Sequence, residues 1–356
     1  MIALTLPAEA EARQRYVARL KAGPMTHDLD AKFMGEADGG LLFSGVNGLV
    51  DIQGVAAADL DGDIVLVDPA GRRVERLLRA GSRHNTLLVT ERCDQLCLMC
   101  SQPPKKTHVD RFAEYTQACL LAEPNSVIGI SGGEPTLFKV ELLAMVETVL
   151  TARADLRFHI LSNGQHFEAD DVERLRSPIY RRVQWGIPLY ASEPALHDEI
   201  VAKAGAFDRL HKSFAHLLRA GASIELRTVV LRPNLAGLPE LAAHVSTYLR
   251  FIGSWSIMQL EHIGFARNRW TELYVDHRDA FGPIAEAVDH ATLFGIDVAL
   301  FNFPRCTVPP AYRALAPASI SDWKQKFLAA CDGCRERAAC SGFFEWHPDD
   351  GEVTPL

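Results

Sequence analysis

From residue 85 onward the chain alternates short apolar runs with amphipathic stretches, and this rhythm constrains the fold more than any other feature. The apolar runs fall at 86–90, 127–130, 158–161, 183–189, 224–231 and 255–260. Helical patterns follow at 110–123, 140–152, 170–176, 207–220 and 238–249. In the second of these Leu143, Val146 and Leu150 recur at helical spacing, and in the fourth Phe207, Leu210, Phe214 and Leu217 share one face. Six strand–helix steps in about 190 residues are the signature of parallel βα units. Spacing alone leaves a doubly wound sheet and an incomplete (β/α) barrel both open. In either case ligands belong at the C-terminal ends of the strands.

Residues 1–84 break this rhythm and read as a separate small unit. A polar opening over 8–22 predicts a helix, followed by Gly- and Asp-rich short strands. The runs 64–67 and 74–78 flank Asp68-Pro69-Ala70-Gly71, a hairpin turn. The net charge of -8, with basic residues scattered, argues against a nucleic-acid footprint. No apolar run reaches the ~18 residues of a membrane span. The start, Met-Ile-Ala-Leu-Thr-Leu-Pro, turns polar at once and does not predict a signal peptide, so a cytoplasmic location is expected.

In such a compartment the eight cysteines read as thiols rather than a disulfide framework. Seven are clustered: Cys93, Cys97 and Cys100 just past the first parallel strand, and Cys306, Cys331, Cys334 and Cys340 near the C-terminus. The eighth, Cys119, shares a helical face with Phe112 and Tyr115 and reads as a buried small hydrophobe. Three thiolates at C-x₃-C-x₂-C spacing suit three corners of a four-iron cluster, leaving one iron open to a small ligand. Zinc is the alternative. A split site from Cys97-x₂-Cys100 and Cys331-x₂-Cys334 would space its pairs far beyond the ~12–20 residues usual for zinc modules, and would strand the other cysteines. The second strand ends in Ser131-Gly132-Gly133-Glu134-Pro135, where two glycines admit a ligand to the backbone and a carboxylate follows.

With C-x₃-C-x₂-C after the first strand and Gly-Gly-Glu-Pro after the second, the chain resembles the radical S-adenosylmethionine (SAM) superfamily. Leu161-Ser162-Asn163-Gly164 resembles its nucleoside-side segment, and 259–266 (Gln-Leu-Glu-His-Ile-Gly-Phe-Ala) its sixth-strand segment. His197-Asp198 and Gly205-Ala206-Phe207-Asp208 are similar to the peptide-modifying branch. The stretch 88–105 resembles the radical SAM maturases of His-Xaa-Ser peptide systems. The likeness covers residues 85 to about 345 and rests on several ordered motifs.

The resemblance implies an α/β fold: a partial (β/α)6 TIM-like barrel over 85–275, a small β-rich N-terminal domain over 1–84, and a C-terminal Fe–S extension over 276–356. Cys93, Cys97 and Cys100 would ligate the catalytic [4Fe–4S] cluster. SAM would chelate the open iron, with Gly132, Gly133 and Glu134 at its methionine amino end and Ser162 and Asn163 near the ribose. Met99 stands where the family usually has an aromatic residue against the adenine; Gln259 and Leu260 are the sixth-strand contacts, and Arg227 a SAM or substrate contact. Pro188-Leu189-Tyr190-Ala191 departs from the Ser-Leu-Asp-Gly of many relatives and excludes a hydroxyl contact from position 188. Cys306, Cys331, Cys334 and Cys340 would hold one auxiliary [4Fe–4S] cluster, as in SPASM or twitch extensions. Position 344 is Phe where another Cys is expected, and a zinc Cys₄ knuckle is the alternative there.

The function so implied is reductive SAM cleavage to a 5′-deoxyadenosyl radical that modifies a ribosomally made precursor peptide. The partners implied are that peptide, a flavodoxin- or ferredoxin-type electron donor, and a second maturase or small partner protein. Residues 1–84 would recognise the peptide or a partner. Two other readings stay open: a radical SAM enzyme acting on a small metabolite, and a zinc- or cluster-bearing binding module without turnover.

Overall fold

The computed structural model describes residues 2–37, 39–348 and 353–356. The N-terminal unit is a closed barrel of seven strands: β1 (Thr5–Ala10), β2 (Tyr16–Lys21), β3 (Asp30–Ala37), β4 (Gly40–Gly45), β5 (Gly48–Gln53), β6 (Ile64–Asp68) and β7 (Arg73–Leu78), in the order β1-β5-β4-β3-β2-β6-β7. All neighbours are antiparallel except β2 and β3. The predicted hairpin forms, with β6 and β7 paired around residues 69–72. The predicted helix over 8–22 does not: β1 and β2 occupy that stretch. In β1 buried Leu6 and Ala8 alternate with outward Thr5, Pro7 and Glu9. That period of two serves barrel pairing and overrides the helix propensity of Ala, Glu and Arg. Leu20, Phe43, Ile52, Leu60 and Val74 fill the barrel with its own core.

The parallel unit follows. Its strands are β8 (Thr86–Thr90), β9 (Val127–Gly132), β10 (Arg157–Leu161), β11 (Val183–Pro188), β12 (Ser223–Val229), β13 (Ser254–Met258) and β14 (Asp297–Phe301). Every adjacent pair is parallel and the order is sequential. The connecting helices are α1 (Phe112–Leu120), α2 (Lys139–Ala152), α3 (Asp171–Leu175), α4 (Pro194–Val201), α5 (Ala206–Ala220), α6 (Leu238–Tyr248), the short α7 (Phe265–Asn268) and α8 (Trp270–Leu273), and α9 (Gly282–Leu293).

The mixed α/β reading holds, but one detail of the expected fold is corrected. The sheet has seven strands rather than six, because α9 and β14 extend it past residue 275. It is open, with β8 and β14 each paired on one side only. The seventh unit is weak in sequence, since β14 presents only Leu300 as a fully buried side chain.

The two faces of this sheet differ. Leu87, Ile130, Phe158, Trp185, Leu226 and Trp255 point into the helical layer and are buried with Leu143, Val146, Phe214, Leu217 and Val245. Cys119 is fully buried there, as its helical face predicted. The alternate positions, among them His159, Gly186, Arg227 and Met258, line a cavity on the opposite face. The C-terminal segment contains β14, short turns, and a two-stranded ribbon of β15 (Gln325–Lys326) and β16 (Phe343–Phe344).

Candidate functional site

The cavity holds about 730 Å³. Cys93, Cys97, Met99 and Cys100 line it, together with Gly132, Gly133, Ser162, Asn163, Arg227, Gln259 and Leu260. It runs from the C-terminal ends of the strands along the gap between the edges of β8 and β14. There Leu77 and Arg79 of the N-terminal unit and Trp323 and Lys324 of the C-terminal segment complete its walls. Arg79 and Asp322 form an ion pair that ties these two units together.

The cysteine loop owes its shape to contacts from both sides. Leu96 and Leu98 donate their N–H groups to the carbonyls of Val201 and Ile200 at 3.2 and 2.8 Å. These carbonyls end α4 and have no partner within the helix, so loop and helix end satisfy each other. On the other side the Phe265 N–H reaches the Cys100 carbonyl at 2.9 Å, and the Arg269 guanidinium reaches the Leu98 carbonyl at 3.1 Å. Gly264, at φ +58°, allows this approach: a Cβ there would stand 2.2 Å from the Cys100 carbonyl oxygen.

The Gly-Gly-Glu segment packs on the same loop. The Gly133 N–H binds the Thr90 carbonyl at 2.8 Å and the Glu134 N–H binds the Arg92 carbonyl at 2.7 Å. The carboxylate of Glu134 is fully buried and turns away from the cavity. It accepts from the Thr136 N–H and the Ser162 hydroxyl, both at 2.8 Å, and from the Thr136 hydroxyl and the Asn163 N–H. Burial pushes its pKa up, and these four donors work against that rise. Glu134 therefore fixes the segment after β10, while the half-buried Gly132 and Gly133 border the cavity.

The three thiols lie close enough for their charges to act on one another. Burial pushes Cys93 and Cys97 up to about 12, with Glu134, Asp94 and Cys100 adding to the rise at Cys93 and the other two thiols at Cys97; burial moves Cys100 the same way. Thiols so placed lose their protons to a metal centre rather than to water. The Gln95 N–H already points at the Cys93 sulfur, at 3.4 Å. Met99 is buried in one apolar cluster with Tyr190 and Leu260.

The cavity floor carries charge. Glu225, buried on β12, accepts from Arg227 at 2.9 Å, from the Ser256 hydroxyl, and pairs with the His159 ring. Burial would raise its pKa, but His159 and Arg227 hold it at about 2. Arg227 is thus a paired arginine that still borders the cavity. Sequence analysis missed His159, Glu225, Tyr190 and Glu261. The first two follow from the alternation along β10 and β12. Tyr190 sits in the segment that departs from the family pattern, and Glu261 directly after Gln259 and Leu260.

The C-terminal cysteines also come together. Burial raises Cys306 to about 11, and the nearby thiols of Cys340, Cys331 and Cys334 add to the rise. Two backbone N–H groups, of Arg305 and Gly342, point at the Cys340 sulfur at 3.3 Å each. Phe344 is buried, stacks near Trp346 and carries Lys324 over its ring at 5.0 Å, so position 344 is packing. Among the described residues, no group of three or more His, Cys, Asp or Glu side chains is arranged to hold one metal ion.

No protein-family model and no curated protein matches this sequence. Solved structures do show similarity to it. SuiB of Streptococcus suis bound to S-adenosylmethionine is 16% identical at a TM-score of 0.49, covering 60% of this chain and 49% of that one. The chain thus spans about half the length of the SuiB chain it matches. A radical SAM methyltransferase from Sphaerobacter thermophilus is 12% identical at a TM-score of 0.46, covering 75% and 74%. Native anSMEcpe with bound AdoMet is 12% identical at a TM-score of 0.45, covering 60% and 63%.

Proposed function

We propose that this chain is a radical SAM enzyme that modifies a ribosomally made peptide. One observation carries the reading: three thiols on one loop, the backbone of Gly132 and Gly133, the Ser162–Asn163 segment and Gln259–Leu260 all border a single cavity at the C-terminal strand ends. The donor set fits a four-iron cluster. It is all sulfur and three-fold at the catalytic loop, the ligand chemistry that iron–sulfur clusters take. Cys93, Cys97 and Cys100 would hold the catalytic cluster, and Cys306, Cys331, Cys334 and Cys340 one auxiliary cluster. When bound, the catalytic cluster and SAM would supply a 5′-deoxyadenosyl radical that takes hydrogen from the substrate.

The chain's own residues have the remaining tasks. Gly132 and Gly133 present backbone groups to the amino end of SAM. Ser162 and Asn163, held in place by Glu134, lie on the nucleoside side. Met99 and Leu260 offer an apolar wall to the adenine. A volume of about 730 Å³ accommodates a nucleoside-sized ligand and one or two side chains, not a folded protein. An extended peptide segment reaching in along the gap between β8 and β14 meets that limit. The N-terminal barrel borders this gap and would contact the peptide or a partner. A reducing, cytoplasmic setting belongs to the proposal, because seven clustered thiols must stay reduced to load iron. So does a flavodoxin- or ferredoxin-type donor. Among the described residues no helix is long and apolar enough to cross a membrane.

The test is anaerobic reconstitution followed by iron and sulfide counting. About eight irons per chain is expected for two four-iron clusters. Zinc without iron would overturn the proposal. Mass spectrometry of short peptides encoded beside the gene, incubated with the loaded enzyme, tests the peptide substrate against a small metabolite.

A further inference from the structure

Asp94 lies between the first two cysteines and bears no role in the site described so far. Its carboxylate is nevertheless the most heavily engaged group on the loop. Oδ1 accepts from the Asn163 side-chain amide at 2.8 Å. Oδ2 accepts from the Lys203 ammonium and stands 3.2 Å from the His166 ring nitrogen. These partners come from two other places in the fold. Asn163 and His166 follow β10, and Lys203 stands between α4 and α5. Asp94, Lys203 and His166 each keep only about a quarter of their side-chain surface exposed, so their charges are weakly screened. The negative charge of Asp94 is felt at both Cys93 and Cys97.

We propose that Asp94 is a positioning residue that clamps the cysteine loop to the segments after β10 and α4, and that the Asp94–Lys203 pair sets the charge under the catalytic cluster. The inference rests on the cluster assignment proposed above. Two consequences follow. The loop carrying Cys93 and Cys97 moves only together with Asn163, which couples the cluster to the nucleoside side of the site. The electron that reduces the cluster also enters beside one fixed anion and one fixed cation, and local charge is among the terms that set a cluster's potential.

The experiment is an EPR-monitored redox titration of the cluster signal that changes on adding SAM. It uses reconstituted full-length wild type, Asp94→Asn and Lys203→Met. Asp94→Asn removes the anion and should shift the midpoint potential to more positive values. Lys203→Met removes the cation and should shift it to more negative values. Opposite shifts are not the mark of a merely loosened fold. Loss of the loop's iron in Asp94→Asn, with a negative shift in Lys203→Met, supports the clamp equally. Wild-type iron content and wild-type potential in both variants overturn it, as do shifts of the same sign. A wild-type chain that takes up no iron sinks the site assignment and the clamp with it; wild-type loading with unmoved potentials sinks the clamp alone.

Discussion

Replacing Gly133 by alanine tests the contact on which the site depends, because the three atoms nearest the new methyl are all backbone. Its Cβ would stand 2.2 Å from the Arg92 carbonyl oxygen, 2.5 Å from the Arg92 carbonyl carbon and 3.0 Å from the Cys93 nitrogen. No side chain can rotate away, so the segment after β9 must lift off the cysteine loop. That displacement breaks the bonds from Gly133 N–H to Thr90 and from Glu134 N–H to Arg92. Each is worth about 1 kcal/mol, and forcing a methyl into a closed contact adds roughly 1–3 kcal/mol. A loss of about 3–5 kcal/mol is therefore expected in denaturant unfolding of the parallel unit. Iron analysis should show the cysteine loop emptied while the four C-terminal cysteines still load. Gly237→Ala is the control, since nothing lies within 4 Å of its Cβ position; it should change stability by less than about 1 kcal/mol. If Gly133→Ala unfolds like wild type and binds as much iron, the packing argument is wrong.

Other outcomes are equally definite. Glu134→Gln puts an amide N–H₂ against donors that now meet carboxylate oxygen, and should cost about 2 kcal/mol with weakened SAM binding by calorimetry; an unchanged affinity and stability would contradict the role assigned to that carboxylate. In the N-terminal barrel, burial would raise Asp30, but Arg19 and the Thr26 and His27 N–H groups hold it at about 2 against an ordinary 3.8. The native value lies below the unfolded one, so about 2 kcal/mol of stability is present above pH ~4 and is lost as pH falls through about 2. Asp30→Asn should lack that dependence when unfolding is followed from pH 5 to pH 2. Cys331→Ala should lower bound iron by about half while SAM cleavage persists, which separates the two cysteine groups; loss of both functions together would mean they form one site.

The parallel unit was legible from residue patterns because its strands are buried on one face and its helices are amphipathic. All six expected strands and five helices appear near their predicted places, and Cys93 falls past the first strand as the fold rule requires. The barrel was less legible. Its first two strands are written in Ala, Arg and Glu, whose helical preference only non-local pairing overrules. The seventh strand was hidden for a related reason: as an edge it buries little. Within the site, the residue types of the motifs were visible but their division of labour was not. Glu134 looks like a ligand contact in sequence, yet its carboxylate is consumed by Thr136, Ser162 and Asn163. The importance of Asp94 depends on Asn163, His166 and Lys203, which lie 69 and more residues away in the chain. No local pattern encodes such a meeting.

In the function proposed above, the Cys93–Cys97–Cys100 loop makes a radical from SAM. The most direct measurement is 5′-deoxyadenosine release from anaerobically reconstituted full-length protein given SAM and a strong reductant, beside Cys97→Ala treated identically. Wild type should release 5′-deoxyadenosine and the variant none above background. Release that survives Cys97→Ala, or its absence from a wild type carrying a full complement of iron, would contradict that proposal.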